Sequence, residues 1–238
     1  MTTIDLQEAQ FSKSLVIPGD PPLGGRLYLP PGGRVLGGAV LAHGLASCQD
    51  EFGDLPERLA QSGIAALTFD FRGHGASGGE RGYSSQHGHD ADLALAVDEL
   101  SAQSAAISAN LLLIGHSVGT AAVVRLLGAE PARFAGAILL APVAIPGEAV
   151  AAPMRMVYEG LFNVAKGIHG AIGFHVHVPY QFDYPHLFAD PEAARRAAEK
   201  GFLQRSVSLM SFPYLFKEID NVAAAAEISV PVLVVVGS

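Results

Sequence analysis

The sequence has 238 residues and a formal net charge of −8 at pH 7, from 15 Lys and Arg against 23 Asp and Glu. This acidic balance argues against a nucleic-acid partner, because a phosphate backbone is bound by a surface with excess positive charge. Half of the residues are hydrophobic and only 16% are charged, which excludes a disordered chain and predicts a large buried core.

Cysteine content, the N-terminal sequence and the longest apolar run argue against a disulfide-bonded, a secreted and a membrane-spanning protein. The single cysteine, Cys48, excludes an internal disulfide and any zinc site built from cysteine pairs. The first ten residues lack the basic stretch and apolar stretch of a secretory signal. The most apolar run is interrupted by Pro142 and Pro146 and is too short for a transmembrane helix. We therefore expect a cytoplasmic protein with no membrane span.

In chain order, the sequence predicts two paired strands, then buried strands that alternate with helices. The buried strands are identified by apolar residues that run on without alternation, and the helices by apolar spacing and end signals. The paired strands are predicted at 10–17 and 25–29, the buried strands at 35–44, 64–71, 110–115 and 134–142, and the helices at 51–63, 89–103 and 117–130. We expect Asp90 and Asp92 in the first turn of the second helix, where the helix dipole favours anions.

This alternation predicts the fold class. Strands and helices that alternate require crossover connections, so the fold should be α/β, with a mostly parallel sheet covered by helices on both faces. After Pro142 the alternation stops, and an apolar strand pattern returns only at Val230–Val236. We predict a core at residues 1–142, an inserted helical cap or lid at 143–227, and a last core strand at 228–238.

The strongest functional motif is Gly115-His116-Ser117-Val118-Gly119, which lies between a predicted strand and a predicted helix. A sharp strand-to-helix turn projects a serine hydroxyl to where a base can reach it, and the glycines leave room for that turn. The turn strains the serine backbone, and the helix start directs free N–H groups at an anion. Ser117 is therefore the candidate nucleophile; the alternative is a tight turn without chemistry.

A second motif, His43-Gly44-Leu45, follows the first buried strand at the edge where ligands bind in α/β sheets. A loop at this place can direct the Leu45 N–H toward the same point as the Val118 N–H. Two such donors would hold the oxyanion of a tetrahedral intermediate. The alternative is a glycine that serves only the turn.

Together with Asp70-Phe71-Arg72-Gly73-His74-Gly75-Ala76-Ser77, these motifs resemble those of the α/β-hydrolase-fold serine hydrolases. The most similar branch contains monoacylglycerol lipases, lysophospholipases and serine aminopeptidase-like proteins. The resemblance implies that Ser117 is the nucleophile, with Leu45 and Val118 as backbone oxyanion donors. It also implies a small-molecule acyl ester as substrate, no cofactor and no metal, and a structural role for Asp70 and Arg72.

The sequence departs from the family pattern at its end. In the family, the acid of the catalytic triad follows the strand that corresponds to 230–236, and the histidine follows one strand later. Neither position falls within the 238 residues, so we expect a fragment or a truncated product whose sheet lacks its last strand and helices. The chain alone should hydrolyse esters weakly or not at all.

Several residues offer alternatives to these assignments. Substitute bases would be the cap histidines, and Glu148 would be a displaced acid; His74 and His116 are expected to be structural. A Gly73-x-Gly75-x-x-Gly78 pattern imitates a dinucleotide site, but no helix follows it directly. Two histidine-containing groups imitate metal sites. In the first, adjacent ligands diverge and no second cluster matches it; in the second, we expect a packed or pocket-lining cluster instead. The cap histidines are His169, His175, His177 and His186, and the metal-like groups are His87-Gly88-His89-Asp90 and His175, His177, Asp183 and His186.

The apolar cap sequence at 149–176 is typical of an acyl-binding or lipid-facing lid, and equally of a helix packed on the core. The sequence thus favours a hydrolase of carboxylic esters, with acyl glycerols or lysophospholipids as substrates and transient contact with a lipid surface through the cap. The alternatives are a serine aminopeptidase-like hydrolase and a non-catalytic protein of the same fold that binds a ligand.

Overall fold

A computed structural model describes residues 12–179, 190–192, 195, 199 and 204–237. Within residues 12–179 and 204–237 it contains nine strands and six α-helices. The strands are β1 Ser12–Ile17, β2 Leu23–Tyr28, β3 Gly37–Ala42, β4 Ile64–Phe69, β5 Leu111–His116, β6 Gly136–Leu140, β7 His177–Pro179, β8 Ser206–Ser208 and β9 Val232–Val235. The helices are α1 Leu55–Gln61, α2 Gln86–Ser101, α3 Ala105–Ala109, α4 Gly119–Ala129, α5 Ala152–Ile172 and α6 Asn221–Ala225.

Seven strands form one sheet in the order β1-β2-β4-β3-β5-β6-β9. The β1–β2 and β2–β4 pairs are antiparallel, and all other neighbours are parallel. The predicted α/β class with a mostly parallel sheet is therefore confirmed. Ala42 at the end of β3 is paired with Gly115 in β5, so the chain leaves both strands at the same edge, just before His43 and Ser117.

The sheet has an apolar core on each face, which explains why its strands lack alternation. Adjacent residues of β3 belong to different cores: Val40 packs with Leu93 and Leu113, whereas Leu41 packs with Ile114. Both residues are fully buried. A strand covered on both faces needs apolar residues at every position.

Helix α2 begins at Gln86, three residues before the predicted start at 89. The Ser85 side chain accepts a hydrogen bond from the Gly88 N–H and caps the helix at Gln86. Asp90 and Asp92 therefore lie beyond the first turn, and the prediction that they interact with the helix dipole there is wrong. Each carboxylate instead pairs with an arginine: Asp90 with Arg125 and Asp92 with Arg72.

The helix predicted at 51–63 is two elements. A short 3₁₀-helix covers Gln49–Phe52, and Gly53 then turns the chain with a positive φ of 57° before α1 begins. Pro56 lies in the first turn of α1, where proline is tolerated because the N–H it lacks would have no partner. This split places the 3₁₀-helix beside the end of β3.

The segment after β6 carries the long helix α5 and the antiparallel strand pair β7–β8. Only Ala165 of α5 is buried, and its exposed apolar side chains include Met156 and Val164. Its packing partners include Phe212 and Phe216, which contact the Tyr158 ring. In the part of the chain that the structure describes, no helix is both long and apolar enough to cross a membrane.

Candidate active site at the β5–α4 turn

Ser117 occupies the sharp turn between β5 and α4, and its φ of +49° lies in the left-handed region. Such a conformation costs a non-glycine residue roughly 1–3 kcal/mol, so the predicted backbone strain is confirmed. The flanking glycines are required by close packing: a Cβ on Gly115 would lie 2.9 Å from the Cα of Thr120, and a Cβ on Gly119 only 2.4 Å from the carbonyl oxygens of Ala42 and His43.

Hydrogen bonds hold this turn on both sides. The Ser117 N–H donates to the Leu140 carbonyl at 3.0 Å, and the Ser117 carbonyl accepts from the Thr120 N–H at 3.0 Å. Val118 is the residue that precedes α4, so its N–H has no acceptor within that helix. Among the described residues, no hydrogen bond uses this N–H, which leaves it free for an anion.

The loop after β3 lies against this turn. A Cβ on Gly44 would be 3.3 Å from the Cβ of Ser117. His43 fixes the loop: its Nε2 accepts from the Phe71 N–H at 3.0 Å, so its Nδ1 carries the proton and donates to the Gly44 carbonyl at 2.8 Å. The Gly44 carbonyl and the Leu45 N–H belong to one trans peptide group and point in opposite directions. His43 therefore orients the candidate oxyanion donor.

His116 precedes Ser117 in the chain, but its side chain is hydrogen-bonded to Glu51. Its Nδ1 lies 2.9 Å from Oε1 of Glu51. Burial opposes charge on Glu51, but the hydrogen bond and charge of His116 prevail and lower the pKa of the carboxyl. Burial likewise opposes protonation of His116, but Glu51 prevails and raises the pKa of the imidazole. The expectation of a structural His116 agrees with this geometry.

The Asp70–Ser77 motif ties loops together, as the sequence resemblance implied. The Asp70 carboxylate accepts hydrogen bonds from the Gln49 N–H at 2.7 Å, the Gln49 side-chain amide at 3.0 Å and the Ala76 N–H at 2.8 Å. The Arg72 guanidinium donates two hydrogen bonds to Oδ1 of Asp92, and the Arg72 backbone N–H donates to Oδ2 of the same, fully buried carboxylate. A Cβ on Gly75 would fall only 2.2 Å from the Asp70 carboxyl carbon, so this glycine is required for the loop to close on the carboxylate.

Two further histidines form a neutral cluster beneath the loops. Burial lowers the pKa of His74 to about 3, with a smaller contribution from His43. Burial also lowers the pKa of His89, whose ring stacks on Phe71 at 4.0 Å between centroids. The Tyr214 hydroxyl lies 3.1 Å from Nδ1 of His89. These imidazoles pack and hydrogen-bond within the fold.

No general base for Ser117 is found among the described residues, since none of their histidines is hydrogen-bonded to its hydroxyl. His175 is 2.9 Å from the Ser208 hydroxyl, and His177 is 2.7 Å from the Arg81 carbonyl. His169 packs against the His175 ring. Glu148 is exposed, and His186 lies outside the described residues.

Among the described residues, those considered for metal or cofactor binding do not form such a site. Within the described ranges, no group of three or more His, Cys, Asp or Glu side chains could hold a metal ion; Asp183 and His186 fall outside these ranges. His175 and His177 do not lie on one strand, because β7 begins only at His177. Gly73 and Gly75 pack against their own loop rather than opening onto a nucleotide site.

The sequence matches a known protein family and one curated relative. The sequence model of Hydrolase_4, described as serine aminopeptidase, S33, matches residues 34–238. A monoacylglycerol lipase of Mycolicibacterium smegmatis is 28% identical over 138 residues, which cover 56% of this chain and 47% of the relative. The match thus spans about half the length of this curated relative.

Solved structures show the same architecture. Monoacylglycerol lipase from Paleococcus ferrophilus has a TM-score of 0.69 and 25% identity, with 90% of this chain and 77% of that chain covered. A soluble variant of monoglyceride lipase from Saccharomyces cerevisiae, solved with a substrate analog, has a TM-score of 0.68 and 17% identity, with 97% and 78% covered. The likeness to the Saccharomyces cerevisiae enzyme, at 17% identity, supports the fold alone. The family match and the Paleococcus ferrophilus structure confirm the predicted resemblance to α/β-hydrolases.

Proposed function

Because this chain belongs to the Hydrolase_4, or serine aminopeptidase S33, family of α/β-hydrolases, we propose that it is a serine hydrolase of carboxylic esters, with Ser117 as the nucleophile. The observation that carries the proposal is the left-handed Ser117 at the β5–α4 turn, in contact with the loop that bears Leu45. The Leu45 and Val118 N–H groups are the proposed oxyanion donors. One such donor is worth about 3 kcal/mol of transition-state stabilisation in serine hydrolases.

The reaction follows from these groups. The Ser117 oxygen forms a bond to the acyl carbon while its proton passes to a base, and the carbonyl oxygen becomes an anion held by the two N–H groups. The ester C–O bond then breaks, and the leaving alcohol takes the proton from the base. Water attacks the acyl-enzyme by the same steps, releasing the acid and restoring Ser117. No cofactor or metal enters this scheme, and we propose a histidine outside the described residues as the base.

For the substrate we propose an acyl glycerol or lysophospholipid-type lipid. The lipase names of the relatives and the apolar character of the proposed cap, residues 143–227, support this substrate class. The exposed apolar side chains of α5 suit transient contact with a lipid surface, and an acyl chain gains about 0.8 kcal/mol per buried methylene. The cytoplasmic location also stays a proposal, favoured by the single buried Cys48.

The family description itself favours a second candidate, a serine aminopeptidase-like hydrolase. The same nucleophile and donors would serve an amide carbonyl, so the site alone does not separate the two activities. Comparing a monoacylglycerol with an aminoacyl p-nitroanilide at equal concentration separates them. A higher kcat/KM for the monoester supports the lipid proposal, and a higher value for the anilide supports the peptidase.

The lack of a base on Ser117 among the described residues also favours weak turnover, or a protein of this fold that only binds. We expect slow hydrolysis of p-nitrophenyl butyrate that disappears in Ser117→Ala, and slow labelling of Ser117 by a fluorophosphonate. If the Ser117→Ala variant keeps the wild-type rate and no label reaches Ser117, the hydrolase proposal is wrong. Fast turnover that depends on Ser117 would contradict only the expectation of weak activity.

A further inference from the structure

We propose that Glu51 is a positioning residue whose buried carboxylate holds the oxyanion loop, residues 43–45, against the turn that carries Ser117. The proposal rests on the function proposed above for the roles of Ser117 and Leu45. It adds a residue that lies in none of the three motifs found in the sequence.

One oxygen atom joins the two chain segments. Oε1 of Glu51 accepts a hydrogen bond from the Gly44 N–H at 2.9 Å and lies 2.9 Å from Nδ1 of His116. A carboxylate only accepts, so Nδ1 is the donor. Gly44 immediately precedes the oxyanion donor Leu45, and His116 immediately precedes Ser117. The carboxylate therefore lies one residue away from both groups that must converge on the substrate carbonyl.

The two segments are in close contact, so a change in the hydrogen bonds of Glu51 would change the distance between them. A Cβ on Gly44 would be 3.3 Å from Nδ1 of His116 and 3.3 Å from the Cβ of Ser117. Apart from the strand ladder between β3 and β5, Glu51 is the one described residue that is hydrogen-bonded to both segments. Oxyanion donors act over distances of about 2.7–3.1 Å, so a shift of a few tenths of an ångström weakens them.

The opposite charges of Glu51 and His116 are compatible with an oxyanion that forms nearby. The Glu51 side chain is only 8% exposed, and a lone buried carboxylate would oppose the oxyanion that forms nearby. Glu51 raises the pKa of His116, and the protonated imidazole that this favours compensates the charge through a charge-assisted hydrogen bond. The pair can thus fix the loop without placing net negative charge at the site.

Glu51 is itself held in place. It belongs to the 3₁₀-helix Gln49–Phe52, whose first residue donates two hydrogen bonds to the Asp70 carboxylate at the end of β4. Asp70 in turn accepts from the Ala76 N–H. A side chain on an anchored element positions its partners more narrowly than one on a free loop.

The first test compares wild type with Glu51→Gln and with the control Glu130→Gln, which removes a carboxylate from an exposed pair with Arg133. We expect Glu51→Gln to lower the pKa of His116, measured by NMR titration, and to shift the amide signals of Leu45 and Val118. Glu130→Gln should leave all three unchanged. If those amide signals do not move in Glu51→Gln, the proposal is wrong. Should Glu51→Gln fail to fold, Glu51→Asp, which keeps the charge and shortens the reach, must shift the same amides.

The second test measures catalysis, as hydrolysis of p-nitrophenyl butyrate corrected for the Ser117→Ala rate. Glu51→Gln should lower kcat at least tenfold with KM nearly unchanged, because it acts on the oxyanion and not on binding of the ester. A fall no greater than that in Glu130→Gln contradicts the proposal. If wild type shows no rate that depends on Ser117 and no fluorophosphonate label reaches Ser117, the proposed function fails. The amide signals of Leu45 and Val118 then still test whether Glu51 holds the loop in position.

Discussion

The loops at the carboxyl edge of the sheet and the long helix α5 are stabilised in different ways. The loops are held by buried carboxylates: Glu51 accepts hydrogen bonds from Gly44 and His116, and Asp92 of α2 accepts from Arg72 in the loop after β4. Helix α5 has one buried residue among 21, and its contacts include aromatic rings and the exposed pair of Glu159 with Lys217.

The difference shows where this fold needs a fixed geometry. A site that must hold an oxyanion at about 3 Å needs directional bonds in a buried setting. A surface that contacts an acyl chain needs only apolar area. Substitutions should therefore be costly at the sheet edge and mild in α5, and the four predictions below test that contrast from the largest effect to the smallest.

The largest effect is expected from Arg72→Met, because it leaves the fully buried Asp92 carboxylate without its ionic partner. We expect the free energy of unfolding in urea to fall by about 3–5 kcal/mol. The control Arg133→Met removes exposed pairs with Asp98 and Glu130 and should cost less than about 1 kcal/mol. Equal losses in the two variants would contradict the contrast.

Gly119→Ala should come next. The new Cβ would lie 2.4 Å from two backbone carbonyl oxygens at the end of β3, which cannot move without displacing the oxyanion loop. We expect a loss of about 2–3 kcal/mol in urea unfolding, together with loss of the esterase rate that depends on Ser117. A variant as stable and as active as wild type would show that α4 does not pack on this loop as described.

The buried histidines predict a pH dependence of stability. The pKa of His74 is lowered to about 3 and that of His89 is also lowered, so the folded state takes up no proton on them just below pH 6.5, whereas the unfolded state does. Stability therefore falls as pH decreases from 6.5, by up to about 1.4 kcal/mol per pH unit for each histidine. Urea unfolding at pH 7, 6 and 5 measures this slope, and His74→Asn should reduce it by one histidine's share. An unchanged slope in His74→Asn would exclude this cause.

The smallest effect is expected from Gly167→Ala in α5, where a new Cβ meets nothing within 4 Å. Alanine is favoured over glycine inside a helix, so the free energy of unfolding should rise, by at most about 1 kcal/mol. Thermal unfolding measures this rise, and the rate of ester hydrolysis should stay unchanged. A loss of stability would mean that Gly167 is in close contact with another part of the protein, and the contrast between the two regions would weaken.

Local patterns in the sequence were sufficient to predict the sheet and the turn at Ser117. Strands buried on both faces show unbroken apolar runs, so β3 to β6 were placed within about two residues of their observed ends. The motif also predicted the strained serine, although only Gly115 packs within the turn; Gly119 packs against Ala42 and His43, which are distant in the chain. The start of α2 was missed although a signal exists: Ser85 directly before the helix is a favoured N-cap residue.

The role of Glu51 could not be predicted from the sequence. Its partner His116 lies 65 positions along the chain, and an acidic residue between a loop and a helix is ordinarily a solvated surface charge. Only the pairing of β3 with β5 brings the two segments together. The divided helix at Gln49–Gln61 was missed for the same reason, since the hydrogen bonds from Gln49 to Asp70 that fix the 3₁₀-helix are long-range.

The most direct test of the central claim is the structure of the chain after prolonged reaction with a fluorophosphonate. The account predicts a covalent bond from phosphorus to Oγ of Ser117, with one phosphonyl oxygen between about 2.7 and 3.1 Å from both the Leu45 and Val118 nitrogens. An adduct on another side chain, or an oxygen directed away from those two nitrogens, would contradict it.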